Sequence, residues 1–265
     1  MRHADLAFLS AIRDHELERL CEFLPPAGRV LDFGAGPGHQ ALRLQQLGFD
    51  VEAVDVESST YSEDRVFPVR VYDGRSLPYP DGHFDVVMSS HVLSQIPDLS
   101  GSLAELTRVL RAGGTMLHVT SSASWRLWTT LAGFPAAPRN AVRGIVSGPV
   151  NRWARAGISR RRWMLMQLGW IARPFMFRPQ GATGCALTEL WTFSRFAWSR
   201  AFAAQHYDVV AMAPLSLWYT GEMLLGARLS LIWRGRLSRW LGSSAILYVL
   251  RSRSNARAQI RQHGC

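Results

Sequence analysis

Val30-Leu31-Asp32-Phe33-Gly34-Ala35-Gly36-Pro37-Gly38 decides how this chain folds. An apolar run ends in a carboxylate, three glycines follow at alternate positions, and a helical pattern begins at about Gln40. That order predicts a strand, a tight turn and a helix N-terminus. Glycine admits backbone conformations closed to other residues and lets a ligand come close to the main chain. The helix start adds unpaired N–H donors at the positive end of the dipole. The spacing departs from the dinucleotide fingerprint Gly-x-Gly-x-x-Gly, which seats a pyrophosphate on the helix N-terminus. His39 stands where the third glycine of that pattern belongs. An acid two residues before the first glycine suits a cationic or hydroxyl-rich ligand better than an anion.

The segments that follow repeat the theme. Val51-Glu52-Ala53-Val54-Asp55 reads as a second strand. An acid at its C-terminal end, about twenty residues beyond the glycine turn, can accept hydrogen bonds from both hydroxyls of a ribose. Val69 to Asp73, followed by Gly74, gives a third strand, and Phe84 to Ser89 a fourth with Ser89, Ser90 and His91 at its exit. Leu103 to Leu110 has the spacing of an amphipathic helix. It is closed by Arg111-Ala112-Gly113-Gly114, a basic last turn and a glycine stop. Thr115 to Thr120 is a fifth strand. Strands alternating with helices build a parallel, doubly wound sheet. Ligands of such sheets bind at the strands' C-terminal ends, where Asp32, Asp55, Asp73 and the Ser89–His91 loop all fall.

Residues 28–120 resemble the class I S-adenosylmethionine-dependent methyltransferases, in particular the small-molecule or type 11 group. The resemblance implies an α/β fold: a doubly wound, seven-stranded Rossmann-like sheet with an antiparallel last strand and helical insertions. It implies S-adenosylmethionine as cofactor, with Asp32, Gly34, Ala35, Gly36 and Gly38 against its methionine and ribose, and Asp55 and Val56 at the ribose. Asp73, with Gly74, faces the adenine amino group, and Ser89 and Ser90 are further cofactor contacts. To complete the sheet, Phe193–Gln205 reads as a helix, His206–Ala211 as strand six and Ala245–Leu250 as strand seven. Three regions are expected: a cofactor-binding core over 1–120, a Trp/Arg-rich insertion over 121–190, and the last strands over 191–265 with a second apolar insertion at 213–243. One stretch departs from the family. Its acid-or-His-His-Ile-Pro-Asp pattern appears here as Ser94-Gln95-Ile96-Pro97-Asp98, and Gln95 cannot act as a base. Nor does Ser89-Ser90-His91 match the loop of amino-directed nucleobase methyltransferases, and no cysteine stands near it for cytosine C5 chemistry.

Charge divides the chain. All 30 basic residues are Arg. Residues 1–120 hold 10 Arg against 17 acids, a net of −7, whereas residues 121–265 hold 20 Arg against 3 acids, a net of +17. All 10 Trp lie in the second part. Codon bias accounts for Arg over Lys but for neither split, so the second part faces a different partner. Apolar stretches with Trp and flanking Arg suit interfacial helices, since Trp favours the headgroup level and each Arg near an anionic surface contributes about 1 kcal/mol. A helical cap with a buried Trp core is the plainer alternative, and the two are compatible. Neither insertion carries the roughly 20 apolar residues of a spanning helix. Met1–Glu22 reads as a charged amphipathic helix without a signal-peptide apolar core. Cys21, Cys185 and Cys265 make no metal spacing, and no metal is expected. The expected location is cytoplasmic, peripheral at the inner membrane face.

His91 is the candidate for acceptor contact or general base, with packing beside the methionine moiety as the alternative. Glu189 and Glu222, acids isolated in the basic part, are read as substrate ligands or paired structural groups, and Tyr219 as a further substrate contact. The function expected is methyl transfer to a lipid, polyprenyl-linked or glycolipid acceptor. Alternatives are a soluble methyltransferase of a small aromatic or polyketide-like metabolite, an RNA methyltransferase, which lacks a recognisable RNA-binding module here, and a non-catalytic cofactor-fold subunit.

Overall fold

The computed structural model describes residues 3–59, 65–147, 159, 161, 165, 179–182, 184–221 and 225–253. Seven strands form one sheet: β1 (Arg29–Phe33), β2 (Asp50–Val56), β3 (Val69–Tyr72), β4 (Phe84–Ser90), β5 (Leu110–Ser121), β6 (Tyr207–Pro214) and β7 (Ala245–Ser252). Their spatial order is β3-β2-β1-β4-β5-β7-β6. The first five are parallel, and β7 runs antiparallel to both β5 and β6. The helices are α1 (His3–Cys21), α2 (His39–Gln46), α3 (Leu99–Val109), α4 (Ala123–Ser147), α5 (Ala186–Thr192), α6 (Arg195–Ala204) and α7 (Leu231–Leu241).

Side chains alternate across a strand, and β1 feeds both faces of the sheet. Val30 packs with Leu17 and Leu20 of α1 and with Ala41 and Leu44 of α2. Leu31 and Phe33 pack on the other face with Leu103 and Leu106 of α3 and Trp198 and Phe202 of α6. Cover on both faces is why the central strands read as nearly unbroken apolar runs. Each buried leucine or phenylalanine contributes about 1.5–3 kcal/mol relative to exposure. The strand order reverses beside β1, between β2 and β4. There the C-terminal ends open a crevice. A third cluster joins Phe8 and Ile12 of α1 to Leu217 and Tyr219, so the first helix packs on a segment more than two hundred residues away in sequence.

Several boundaries differ from the sequence reading. α3 begins at Leu99, not Leu103, because the Asp98 carboxylate caps it by accepting from the Gly101 N–H at 2.9 Å. Arg111–Gly114 is not a helix stop: Leu110 is already extended and β5 starts there. Phe84 pairs with Leu110 but Val86 with Thr115, so the extra residues form a bulge, and Gly113 (φ 79°) takes the left-handed conformation it requires. The helix expected over Phe193–Gln205 is α6, trimmed to Arg195–Ala204 because Ser194 caps it by accepting from the Ala197 N–H at 3.2 Å, and the short α5 precedes it. β6 and β7 each extend further than expected, because they hydrogen-bond to one another from Tyr207–Ser252 to Pro214–Ile246. The basic stretch Arg152–Arg162 and the Trp-rich stretch Trp163–Ile171 lie outside the described residues, apart from isolated positions. No described helix is long and apolar enough to cross a membrane.

Candidate functional site

The glycine turn is hooked onto its neighbour strand: the N–H groups of Gly34 and Ala35 donate to the Val54 carbonyl at 2.8 and 3.0 Å. Gly34, Gly36 and Gly38 all have left-handed φ, at 75°, 56° and 83°. At Gly34 the requirement is also steric, because a Cβ there would stand 2.5 Å from Val92 Cγ2. Gly38 is the N-cap of α2 and brings no side-chain cap, so the helix start presents main-chain donors to the crevice. The Asp55 carboxylate is fixed from both sides, accepting from the Gly36 N–H at 3.0 Å and the Val56 N–H at 2.8 Å. Bidentate anchoring leaves lone pairs of both oxygens for hydroxyl donors.

Asp32 lies in the same floor. It is buried, and its Oδ2 has no hydrogen-bond partner. Burial, reinforced by the charge of Asp55 and opposed by a backbone hydrogen bond from Ala41, pushes its pKa up to about 7. A buried acceptor without a donor is costly, and a cation or donor arriving in the crevice removes that cost. Orphaned Asp32, anchored Asp55 and the close-approach glycine bend together fit a ligand with a cationic group and a ribose, as S-adenosylmethionine has.

Asp73, at the end of β3, is exposed, and its Oδ1 accepts from the N–H groups of Arg75 and Ser76, both at 2.8 Å. These bonds hold its carboxyl below the usual range. They also fix the turn through Gly74 at the end of β3. The Ser89 side chain does not face the crevice: buried, it shares a hydrogen bond of 2.8 Å with Nδ1 of the core His118, so only its main chain can line the site. Burial pushes His118 down to about 3, which keeps that imidazole neutral. Ser90 Oγ is buried with no hydrogen-bond partner.

His91 follows at φ 60°, left-handed for a non-glycine residue, and its N–H donates to the Val119 carbonyl at 2.8 Å. Such strain persists where surroundings over-determine it, often at functional sites. Both ring nitrogens are engaged. Nδ1 is 3.0 Å from Ser121 Oγ at the end of β5, and Nε2 is 3.2 Å from Glu16 Oε2 on α1. Glu16 is fully buried. It also pairs with Arg13 and accepts from the Tyr219 hydroxyl at 2.7 Å. Burial raises the Glu16 pKa, but Arg13 and His91 outweigh that and hold the carboxyl well below the carboxylate range. Burial and the Arg13 charge lower the His91 pKa, with Glu16 acting against them. Burial and the Glu16 charge push the Tyr219 phenol up, so it remains a donor. With Glu16 ionised, Nε2 carries the proton and Nδ1 accepts from Ser121.

Tyr219 thus reaches the His91 cluster through Glu16. Glu189 does not reach it: buried, it pairs with Arg126 at 2.7 Å and accepts from the N–H groups of Gln180 and Gly181 at 2.7 and 2.6 Å. Its carboxylate is closed off within the protein. Glu222 lies outside the described residues. Sequence reasoning missed Glu16, Arg13 and Ser121. The signal for Glu16 was present: Phe8, Ile12, Glu16 and Leu20 form one buried i, i+4 stripe, with a lone acid among apolar residues.

A cleft of about 340 Å³ is walled by Trp128, Leu131, Ala132, Pro135, Trp218, Thr220, Leu225, Arg234 and Leu241. Trp128 and Trp218 meet edge to face with ring centroids 6.0 Å apart, and Trp128 Nε1 donates to the Leu241 carbonyl at 2.9 Å. Trp218 and Thr220 flank Tyr219, and α4 leaves the sheet just after Ser121. A polar cleft with Arg29, Asp50, His83 and Asp85 lies at the opposite, N-terminal edge of the strands, away from the glycine turn. Among the described residues no group of His, Cys, Asp and Glu can hold a metal ion.

A doubly wound sheet with an antiparallel end strand, a carboxylate-led glycine bend and a second acid at the end of β2 define a class I S-adenosylmethionine-dependent methyltransferase domain. Residues 4–211 match the family described as "Methyltransferase domain", and the chain belongs to that family. The chain is 38% identical over 100 residues to the "Uncharacterized methyltransferase YcgJ" of Bacillus subtilis (strain 168), a match over 34% of this chain and 40% of that protein. It is 34% identical over 118 residues to the ubiquinone/menaquinone biosynthesis C-methyltransferase UbiE of Laribacter hongkongensis (strain HLHK9), over 40% of this chain and 47% of the relative. The chain thus spans less than half the length of these curated relatives. Among solved structures, geranyl diphosphate C-methyltransferase from Streptomyces coelicolor A3(2) shares the fold with a TM-score of 0.51 at 19% identity, covering 93% of this chain and 82% of that one.

Proposed function

We propose that this protein methylates a lipid-like acceptor whose apolar part lies in the cleft walled by Trp128 and Trp218. The observation that carries the reading is the position of that cleft: its wall residues Trp218 and Thr220 flank Tyr219, which is hydrogen-bonded through Glu16 to His91 at the end of β4. Pockets that bind apolar ligands have this character, with apolar walls and a few convergent polar groups. S-adenosylmethionine, when bound, supplies a methyl group already activated on a sulfonium. Asp32 offers its unpartnered oxygen to a cationic group, Asp55 accepts from ribose hydroxyls, and the glycine bend brings main-chain donors close. Positioning therefore supplies much of the rate. An acceptor that must lose a proton also needs a base. Ser121 Oγ is placed to take that proton while its own passes to His91 Nδ1, and the resulting imidazolium is held by Glu16.

Matches to relatives named for ubiquinone/menaquinone biosynthesis and demethylmenaquinone methylation support an acceptor with an apolar part. The edge-to-face Trp128–Trp218 pair favours a second reading, a flat aromatic metabolite in the same cleft. Transfer of labelled methyl from S-adenosylmethionine into fractionated cell extract separates them. Label in the organic lipid phase is expected. Label confined to small aromatic compounds selects the second reading. No label in either, from protein that binds the cofactor, sinks both.

A further inference from the structure

Helix α7 is fixed in orientation by one residue and leaves an unusual face in water. Arg234 is 3% exposed, and its guanidinium donates to the carbonyls of Leu229, Trp218 and Gly226 at 3.0, 3.2 and 2.6 Å. It also lies 4.6 Å over the ring of Phe8 on α1. Those bonds set which side of the helix points outward. The outward side carries Ile232, Trp233 and Trp240, exposed by 72%, 55% and 89%. Arg236 and Arg239 are exposed with them, and Arg236 stacks over Trp233 at 4.8 Å. Positions 232, 233, 236, 239 and 240 form a single helical stripe. From Met223 to Cys265 the chain holds eight Arg and no Asp or Glu, so no acid of this segment offsets them.

We propose that this stripe docks α7 on the surface of an anionic bilayer, with Trp233 and Trp240 at headgroup level and Arg236 and Arg239 on lipid phosphates. Charge commits the occupant. Trp favours the interfacial region and Arg the anionic headgroups, and a helix with both on one side lies in the plane of the surface. The placement also connects to the cleft. Leu241, at the end of α7, lines it, and Leu131 and Leu225 stand exposed on its walls. A lipid acceptor entering from the bilayer would meet the cleft beside the docked helix. The inference rests on the lipid-acceptor reading of the function, but its test needs neither the acceptor nor turnover.

Flotation with vesicles of phosphatidylglycerol and phosphatidylcholine, against phosphatidylcholine alone, is the experiment. The full chain is expected to float with the anionic vesicles and not with the neutral ones, with a blue shift of Trp emission. Trp233→Ser with Trp240→Ser should weaken binding about tenfold or more, and Arg236→Gln with Arg239→Gln about tenfold with a shallower salt dependence. All four side chains are exposed, so both double variants should keep the parent melting temperature and S-adenosylmethionine affinity, read by calorimetry. Equal flotation with neutral vesicles, parent-like binding by both variants, or no binding with a dimer that the Trp variant dissolves would each overturn the proposal. Loss of cofactor binding by the parent chain would count against the methyltransferase reading instead.

Discussion

At the scale of single residues, two buried carboxylates titrate in opposite senses. Asp32 has a folded pKa near 7, above its unfolded value. The folded state therefore holds a proton that the unfolded state has released, and the stability it contributes declines as pH rises from about 4 to about 7. Glu16 is depressed. Its contribution is present above the ordinary carboxylate range and is lost on acidification. Asp32→Asn should flatten the neutral-side decline in thermal melts from pH 5 to 8. The parent's affinity for S-adenosylmethionine should rise between pH 6 and 8, as Asp32 ionises to meet a cation, and calorimetry should show that rise vanish in Asp32→Asn. For the proton path, His91→Ala should lower turnover by about 10²–10⁴ with cofactor affinity retained. Glu16→Gln should lower the His91 pKa further, which NMR titration of the ring reads directly, because the acid that favours its charged form is gone. Asp32 and Asp55 were legible in sequence because each ends an apolar strand. Glu16 stood out locally only as a lone acid in an apolar stripe; nothing in that stripe says that α1 is laid over the ends of β4 and β5.

Among the elements, the glycine bend is the part least open to change. Gly34 combines a φ of 75° with a Cβ position inside Val92. Gly34→Ala should therefore destabilise the protein by about 1–3 kcal/mol and abolish cofactor binding, measured by denaturation and calorimetry on the same sample. The central parallel strands were legible because they are buried on both faces and bounded by glycine or acid. The α3–β5 junction was misread because Arg111–Gly114 has the composition of a helix stop. Composition does not show that Leu110 pairs with Phe84 across the sheet, and that pairing turns the segment into a bulge. α6 was legible from its apolar periodicity, and Ser194, whose side chain accepts from the Ala197 N–H, sets where it starts.

On the scale of the whole molecule, the cleft is assembled from α4, from Trp218, Thr220 and Leu225, and from α7, parts separated by about a hundred residues. Ala132→Phe would fill it. The expected outcome is a raised KM for the acceptor, about tenfold, with unchanged cofactor affinity, followed by steady-state methyl transfer. The sequence alone determined the parallel sheet, the carboxylates at the strand ends and the split into an acidic first part and an Arg- and Trp-rich second part, because strand burial, glycine turns and charge are written in local patterns. Only the tertiary structure decided that Glu16 and Tyr219 meet His91, that Ser89 turns into the core, that Glu189 is closed off by Arg126, and which side of α7 faces water. Those outcomes depend on contacts across as many as two hundred residues, and a long-range contact is set by packing geometry that no local pattern carries.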